Sequence, residues 1–138
     1  MAKVIIQNIG KIVSGKTASP FCSGNTILVD NGIISKIGSY SDFTEKTDLT
    51  VDAQGSILIP GLIDSHGHPV LGDYTPRQKM VDFMDSYVHG GITSMISAGE
   101  SHVPGKASDA VMVKALAILC AKSFANFRPS GMKVLGGA

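Results

Sequence analysis

The residues best suited to chemistry in this chain lie in one five-residue segment, Asp64-Ser65-His66-Gly67-His68. On a β-strand, residues i and i+2 point to the same face, so His66 and His68 would present two imidazoles side by side. Neutral imidazole is a common ligand for zinc and similar divalent metals. The same alternation places Asp64 on that face, and Gly67 leaves the opposite face without a side chain. The segment therefore predicts a metal site; the alternative is two histidines hydrogen-bonded at a strand end.

The strand that would carry this segment is the almost continuously apolar run Ser56–Ile63, which is interrupted by Pro60-Gly61. A continuous apolar run is typical of a strand buried on both faces of a parallel sheet. In α/β folds, sites form at the carboxyl ends of such strands. We therefore expect His66 and His68 at the carboxyl end of the first parallel strand.

The segments that follow alternate between helix and strand. Lys79–His89 has apolar residues at helical spacing, Ile92–Ser97 reads as a second buried strand, and Met132–Leu135 as a third. A second helix, capped by Ser108 or Asp109, should run to about Phe127. Its expected apolar face consists of Val111, Ala115, Leu116, Leu119 and Phe124. The order β-α-β-α-β predicts an α/β fold with a parallel sheet and right-handed crossovers.

The first part of the chain predicts a small antiparallel sheet instead. Short β-branched runs, broken by glycines, indicate strands at Val4–Ile9, Lys11–Ser14, Thr26–Asp30, Ile33–Ile37 and Thr50–Asp52. Asn31-Gly32 joins two of them, and both residues tolerate the positive φ that a type I′ hairpin turn requires.

Composition narrows the classes of function. The chain has 138 residues, a formal net charge of +1 and 17% charged residues. A charge near zero argues against nucleic acid or an anionic membrane as the main partner. Neither an apolar run of membrane-spanning length nor a signal peptide is evident, so we expect a cytoplasmic protein. Cys22 and Cys120 lack a Cys-x-x-Cys spacing, and we expect free thiols.

The segment Ile59-Pro60-Gly61-Leu62-Ile63-Asp64-Ser65-His66-Gly67-His68 resembles the signature of the amidohydrolase superfamily. The resemblance implies the first strand of a TIM-like (β/α)₈ barrel, preceded by a small antiparallel β-sandwich portion. It also implies that His66 and His68 bind a divalent metal, zinc and/or iron. Residues 1–55 would then be the sandwich portion and residues 56–138 the first β-α-β-α-β units. A complete barrel needs roughly 250 residues, so we expect the N-terminal portion of a longer hydrolase with the barrel incomplete.

Further segments narrow this resemblance to the enamidase family. They are Asn8–Gly15, Gly72–Lys79, His89–Gly99, Pro104-Gly105 and Gly131–Ala138. The resemblance implies hydrolysis of the ring amide of 6-oxo-1,4,5,6-tetrahydronicotinate, in nicotinate degradation, to 2-formylglutarate and ammonia. It also implies that the full-length form is a homo-oligomer. The catalytic base and the bridging ligand would lie beyond Ala138, so this stretch alone would be inactive. Two alternatives remain open: another cyclic amidohydrolase of the dihydroorotase, hydantoinase or imidazolonepropionase type, and a non-catalytic binding or assembly module.

Three residues in the loops after the first two parallel strands are candidates for contact with a small-molecule substrate. Arg77 offers a bidentate guanidinium that suits the carboxylate of a nicotinate-derived substrate, or it is a solvated side chain. Tyr74 could donate a hydrogen bond to the substrate or simply pack. His102 could contact the substrate or orient a carboxylate near the metal, or it is a surface residue.

Overall fold

The computed structural model describes residues 2–69, 80–97 and 109–136. The chain forms two compact units, Met1–Pro60 and Gly61–Ala138. The first unit holds two small sheets. Its strands are β1 (Lys3–Gln7), β2 (Lys11–Val13), β3 (Phe21–Cys22), β4 (Thr26–Asp30), β5 (Ile33–Gly38), β6 (Leu49–Asp52) and β7 (Ile57–Leu58). One sheet has the order β5-β4-β1-β6 and the other β3-β2-β7. Neither sheet is purely antiparallel as predicted, because β6 pairs parallel to β1 and β7 pairs parallel to β2.

The five strands predicted for this region are present, with ends that differ from the prediction by at most two residues. The hairpin between β4 and β5 is confirmed, since Asn31 and Gly32 have φ of 53° and 80°. Both values are positive, as the type I′ turn requires. The sequence did not predict the two-residue strand Phe21–Cys22, which pairs with β2.

The second unit contains β8 (Leu62–Gly67), α1 (Met80–His89), β9 (Ile92–Ser97), α2 (Ala110–Asn126) and β10 (Lys133–Leu135). Its three strands form a parallel sheet in the order β10-β9-β8. The predicted α/β class and the order β-α-β-α-β are therefore confirmed for the described residues. Cys120 in this unit is buried and Cys22 in the first unit is half-buried, and both are free thiols, as predicted.

The core of the second unit is unusually rich in sulfur. Its buried members are Met84, Met95, Cys120, Phe124, Met132 and Val134. Asp109 caps α2, because its carboxylate accepts the backbone N–H groups of Val111 and Met112. None of the helices in the described ranges is both long and apolar enough to cross a bilayer.

The predicted apolar face of α2 is wrong in part. The buried residues are Leu116, Cys120 and Phe124, which are spaced four residues apart and so share one face of the helix. Val111 and Leu119, in contrast, are 79% and 53% exposed. Because α2 is apolar nearly all round, its sequence pattern alone does not distinguish the face that packs on the sheet.

The apolar run Ser56–Ile63 also differs from the prediction. It contributes to two strands, β7 and β8, which belong to different sheets. Pro60 lacks a backbone N–H, and with Gly61 it separates them. In the described part of the chain β8 is not buried on both faces, since Ile63 is 67% exposed. Among the described residues, only β9 pairs with β8. The two helices pack on the sheet through the core that contains Met84 of α1, Met95 of β9 and Phe124 of α2.

Candidate metal centre

The two histidines lie at the carboxyl end of β8. His66 and Gly67 are the last residues of the strand, and His68 follows directly. β9 ends at Ser97, which is in register with Gly67. The pair therefore sits at the edge of a parallel sheet where strand ends meet, as the sequence predicted.

The imidazoles of His66 and His68 face each other edge to face. Their ring centres are 5.2 Å apart and their planes meet at 77°. Two imidazoles that bind one tetrahedral ion through nitrogen atoms about 2.0 Å from it have ring centres about 5 Å apart. The observed spacing fits this arrangement. His66 is exposed and His68 is half-buried, so the pair is open on one side.

The strand pairing shows why both imidazoles share a face. Asp64 is in register with Met95, and Gly67 with Ser97, so three residue steps in β8 match two in β9. One extra residue in β8 is the definition of a β-bulge. Residues in register on neighbouring strands share a face, so Asp64 and Gly67 both lie on the side of the buried Met95. His66 and His68, which flank Gly67, consequently face the other side.

The register of β8 against β9 corrects the expected position of Asp64. Simple alternation placed Asp64 on the same face as the two histidines, whereas the bulge puts it on the other one. The Asp64 carboxylate instead accepts the backbone N–H of His66, at 2.9 Å from Oδ1. Alternation fails here because the bulge inserts a residue that the sequence pattern does not reveal.

Gly67 is required for a steric reason. We expected the face of the strand opposite the two histidines to carry no side chain at Gly67. Gly67 itself has none, but the side chain of Met95 in β9 fills the space next to it. A Cβ at Gly67 would overlap the Met95 side chain, which is fully buried. The glycine between the two histidines was the available signal, since an isolated glycine in a strand often marks a bulge or a close approach.

The described residues contain no group of three or more His, Cys, Asp or Glu side chains that could hold a metal ion. Of the residues predicted for the site, the described part of the chain contains only His66 and His68, and it brings these two together. Tyr74, Arg77 and His102 lie outside the described residues, so their contact with a substrate stays a prediction.

The chain has one unit with a parallel sheet that carries two histidines at its carboxyl edge, and a second, small β-rich unit. These features together define a class of protein that known structures identify. A crystal structure from the amidohydrolase superfamily matches this chain with a TM-score of 0.88 at 51% sequence identity. The match covers 99% of this chain and 36% of the other. The chain belongs to the amidohydrolase superfamily.

The protein in that crystal structure is enamidase. The enamidase of Eubacterium barkeri is 52% identical to this chain over its whole length, which spans 36% of the relative. An imidazolonepropionase from Salinispora arenicola is 28% identical over 71% of this chain and 26% of the relative. No family model matches the chain. The chain thus spans about a third or less of the relatives it matches.

Proposed function

We propose that this chain supplies the first two metal ligands, His66 and His68, of a hydrolase that opens a cyclic C–N bond. The supporting observation is the pair of imidazoles 5.2 Å apart at the carboxyl edge of a parallel sheet. Members of the superfamily use divalent metals, and imidazole suits zinc and iron alike. We infer zinc and/or iron as the resident metal.

The substrate that we propose is 6-oxo-1,4,5,6-tetrahydronicotinate, in nicotinate degradation. One water molecule would hydrolyse its ring amide, and a second would hydrolyse the resulting enamine to give 2-formylglutarate and ammonia. The support is the 52% identity to an enamidase over the whole chain, against 28% over 71% of the chain to one imidazolonepropionase and 43% over 49% of it to another. Arg77 would bind the substrate carboxylate, with Tyr74 and His102 as further contacts. We also propose a cytoplasmic, homo-oligomeric enzyme.

When bound, a divalent metal would supply an activated water molecule and would polarise the carbonyl group of the substrate. The contribution of this chain is to hold the metal with His66 and His68 and to keep both imidazoles on one face of the sheet. A catalytic zinc usually has three protein ligands, so further ligands and the catalytic base are expected in other parts of the enzyme.

The test uses the full-length protein that contains this chain. Replacing either ligand, in His66→Ala or His68→Ala, should remove most of the bound metal and lower the rate of ring-amide hydrolysis by at least about 100-fold. His89→Ala is the matched control, because His89 is exposed at the end of α1. Metal retained at wild-type content in both ligand variants would overturn the assignment.

The same protein separates the alternatives. An enzyme of the imidazolonepropionase, hydantoinase or dihydroorotase type would hydrolyse its own cyclic substrate faster than the tetrahydronicotinate. A binding or assembly module would hydrolyse none of them, and chelation would not change its melting temperature. Either result would contradict the proposed reaction.

A further inference from the structure

We propose that Asp64 is a positioning residue, which holds the β-bulge that turns His66 and His68 to a common face. The inference rests on the proposed function, because it concerns the residues that would bind the metal. Asp64 itself is not proposed as a ligand.

β8 contains one residue more than the part of β9 that it pairs with. Between Asp64 and Gly67 the strand contains two residues, whereas the matching part of β9 between Met95 and Ser97 contains one. A bulge leaves the extra residue outside the regular ladder of hydrogen bonds. The exposed N–H group of His66 is then available to water or to a nearby side chain.

The Asp64 carboxylate provides an acceptor for the N–H of His66. Oδ1 of Asp64 lies 2.9 Å from the backbone nitrogen of His66, two residues along the strand. A carboxylate accepting a backbone N–H makes a charge-assisted hydrogen bond, which is stronger than one between neutral groups. The side chain of Asp64 thus satisfies the N–H group of the bulged segment.

The bulge determines which face of the sheet the two histidines occupy. Without the bulge, alternation from Asp64 would turn residues 66 and 68 toward the face of Met95, which is buried. That face has no room, since even a Cβ at Gly67 would overlap Met95. The bulge resolves the conflict by placing Gly67 against Met95 and both imidazoles on the opposite face.

The experiment compares Asp64→Ala with Asp64→Asn in the full-length protein. Asparagine keeps an oxygen acceptor at the same position, whereas alanine removes it. We expect Asp64→Ala to weaken Co²⁺ binding by about 10-fold to 100-fold and to alter the visible spectrum of the bound Co²⁺, as outer-shell changes typically do. Asp64→Asn should bind Co²⁺ within about threefold of the unaltered protein, with the same spectrum.

Asp52 provides a matched control. Its Oδ1 also accepts a backbone N–H two residues along, from Gln54 at 2.8 Å, in the first unit. Asp52→Ala should leave Co²⁺ affinity and spectrum unchanged. Two outcomes overturn the inference: an Asp64→Ala variant with unchanged affinity and spectrum, or an Asp64→Asn variant that loses Co²⁺ while melting like the unaltered protein. If Asp64→Ala does not fold, the Co²⁺ affinity of Asp64→Asn still tests the inference.

A readout without metal keeps this inference separate from the proposed function. In metal-free protein with labelled histidines, nuclear Overhauser contacts should join the rings of His66 and His68. They should persist in Asp64→Asn and disappear in Asp64→Ala. A protein that binds no Co²⁺ but shows this pattern would contradict the metal centre and support the role of Asp64. Ring contacts that persist in Asp64→Ala would overturn the role of Asp64.

Discussion

The two units of this chain use one local hydrogen bond for different purposes. In the first unit, the Asp52 carboxylate accepts the N–H of Gln54 at 2.8 Å, immediately after β6 ends. In the second, the Asp64 carboxylate accepts the N–H of His66 at 2.9 Å inside β8. The first bond closes a turn and the second accompanies a bulge. The same local hydrogen bond therefore occurs both where a strand ends and where a strand continues.

Glycines in the two units differ in the same way. Gly32 has a φ of 80°, and a Cβ added there would meet no atom within 4 Å. Gly67 has no such backbone requirement, but a Cβ there would overlap Met95. One glycine is needed for its backbone conformation and the other for the space it leaves.

The largest expected effect is on the packing that surrounds Gly67. Met95→Ala should lower the free energy of unfolding by about 2–5 kcal/mol, because Met95 is fully buried in a close-packed core. Val111→Ala is the control, and it should change stability by less than about 0.5 kcal/mol because Val111 is 79% exposed. Urea unfolding of the metal-free protein measures both. Equal losses for the two variants would contradict the assignment of Met95 to the core.

A smaller loss of stability is expected when Gly67 itself is replaced. Gly67→Ala should cost about 1–3 kcal/mol, since the added methyl group overpacks a filled core. In a Met95→Ala background the same change should cost little, because the overlapping side-chain atoms are gone. A double-mutant cycle measures this coupling. An additive result would show that Met95 does not set the requirement for glycine.

A smaller effect is expected in the first unit. Gly32→Ala should cost about 1 kcal/mol, because alanine is strained at positive φ, although nothing crowds its Cβ. No substitution of a neighbouring side chain should relieve this loss. Relief by truncating Ile33, which is 71% exposed, would contradict the distinction between the two glycines.

The same contrast explains which features could be predicted from the sequence. The β4–β5 hairpin was predictable because Asn31 and Gly32 fix the turn by their own conformational preferences. The position of the two histidines at a strand end was also local, since it required only an apolar run followed by polar residues. The resemblance to the amidohydrolase superfamily came from contiguous residues, and the comparisons confirm it.

The bulge and the helix face could not be predicted, because both depend on residues distant in sequence. The register of β8 is set against β9, some thirty residues later, and a one-residue shift exchanges the two faces of a strand. The buried face of α2 is selected by the sheet and not by its nearly uniform apolar pattern. Metal binding by His66 and His68 stays a prediction until metal content is measured.

The smallest effect concerns the charge on the Asp52 carboxylate. The backbone N–H of Gln54 lowers the pKa of Asp52, and the side chain of Asn8, whose Nδ2 lies 2.9 Å from Oδ1, lowers it further. A pKa that is lower in the folded state means that the ionised carboxylate stabilises the fold above the unfolded pKa of about 3.9. That stabilisation should disappear as the pH falls through the folded pKa.

Asn8→Ala removes the lesser of these two causes and leaves the Gln54 N–H in place. The pKa of Asp52 should therefore rise in this variant but stay below its ordinary value, and carboxyl chemical shifts followed by NMR from pH 2 to 6 would measure it. Asp52→Asn should abolish this part of the pH dependence of unfolding altogether. If Asn8→Ala left the pKa unchanged, the Gln54 N–H alone would account for it.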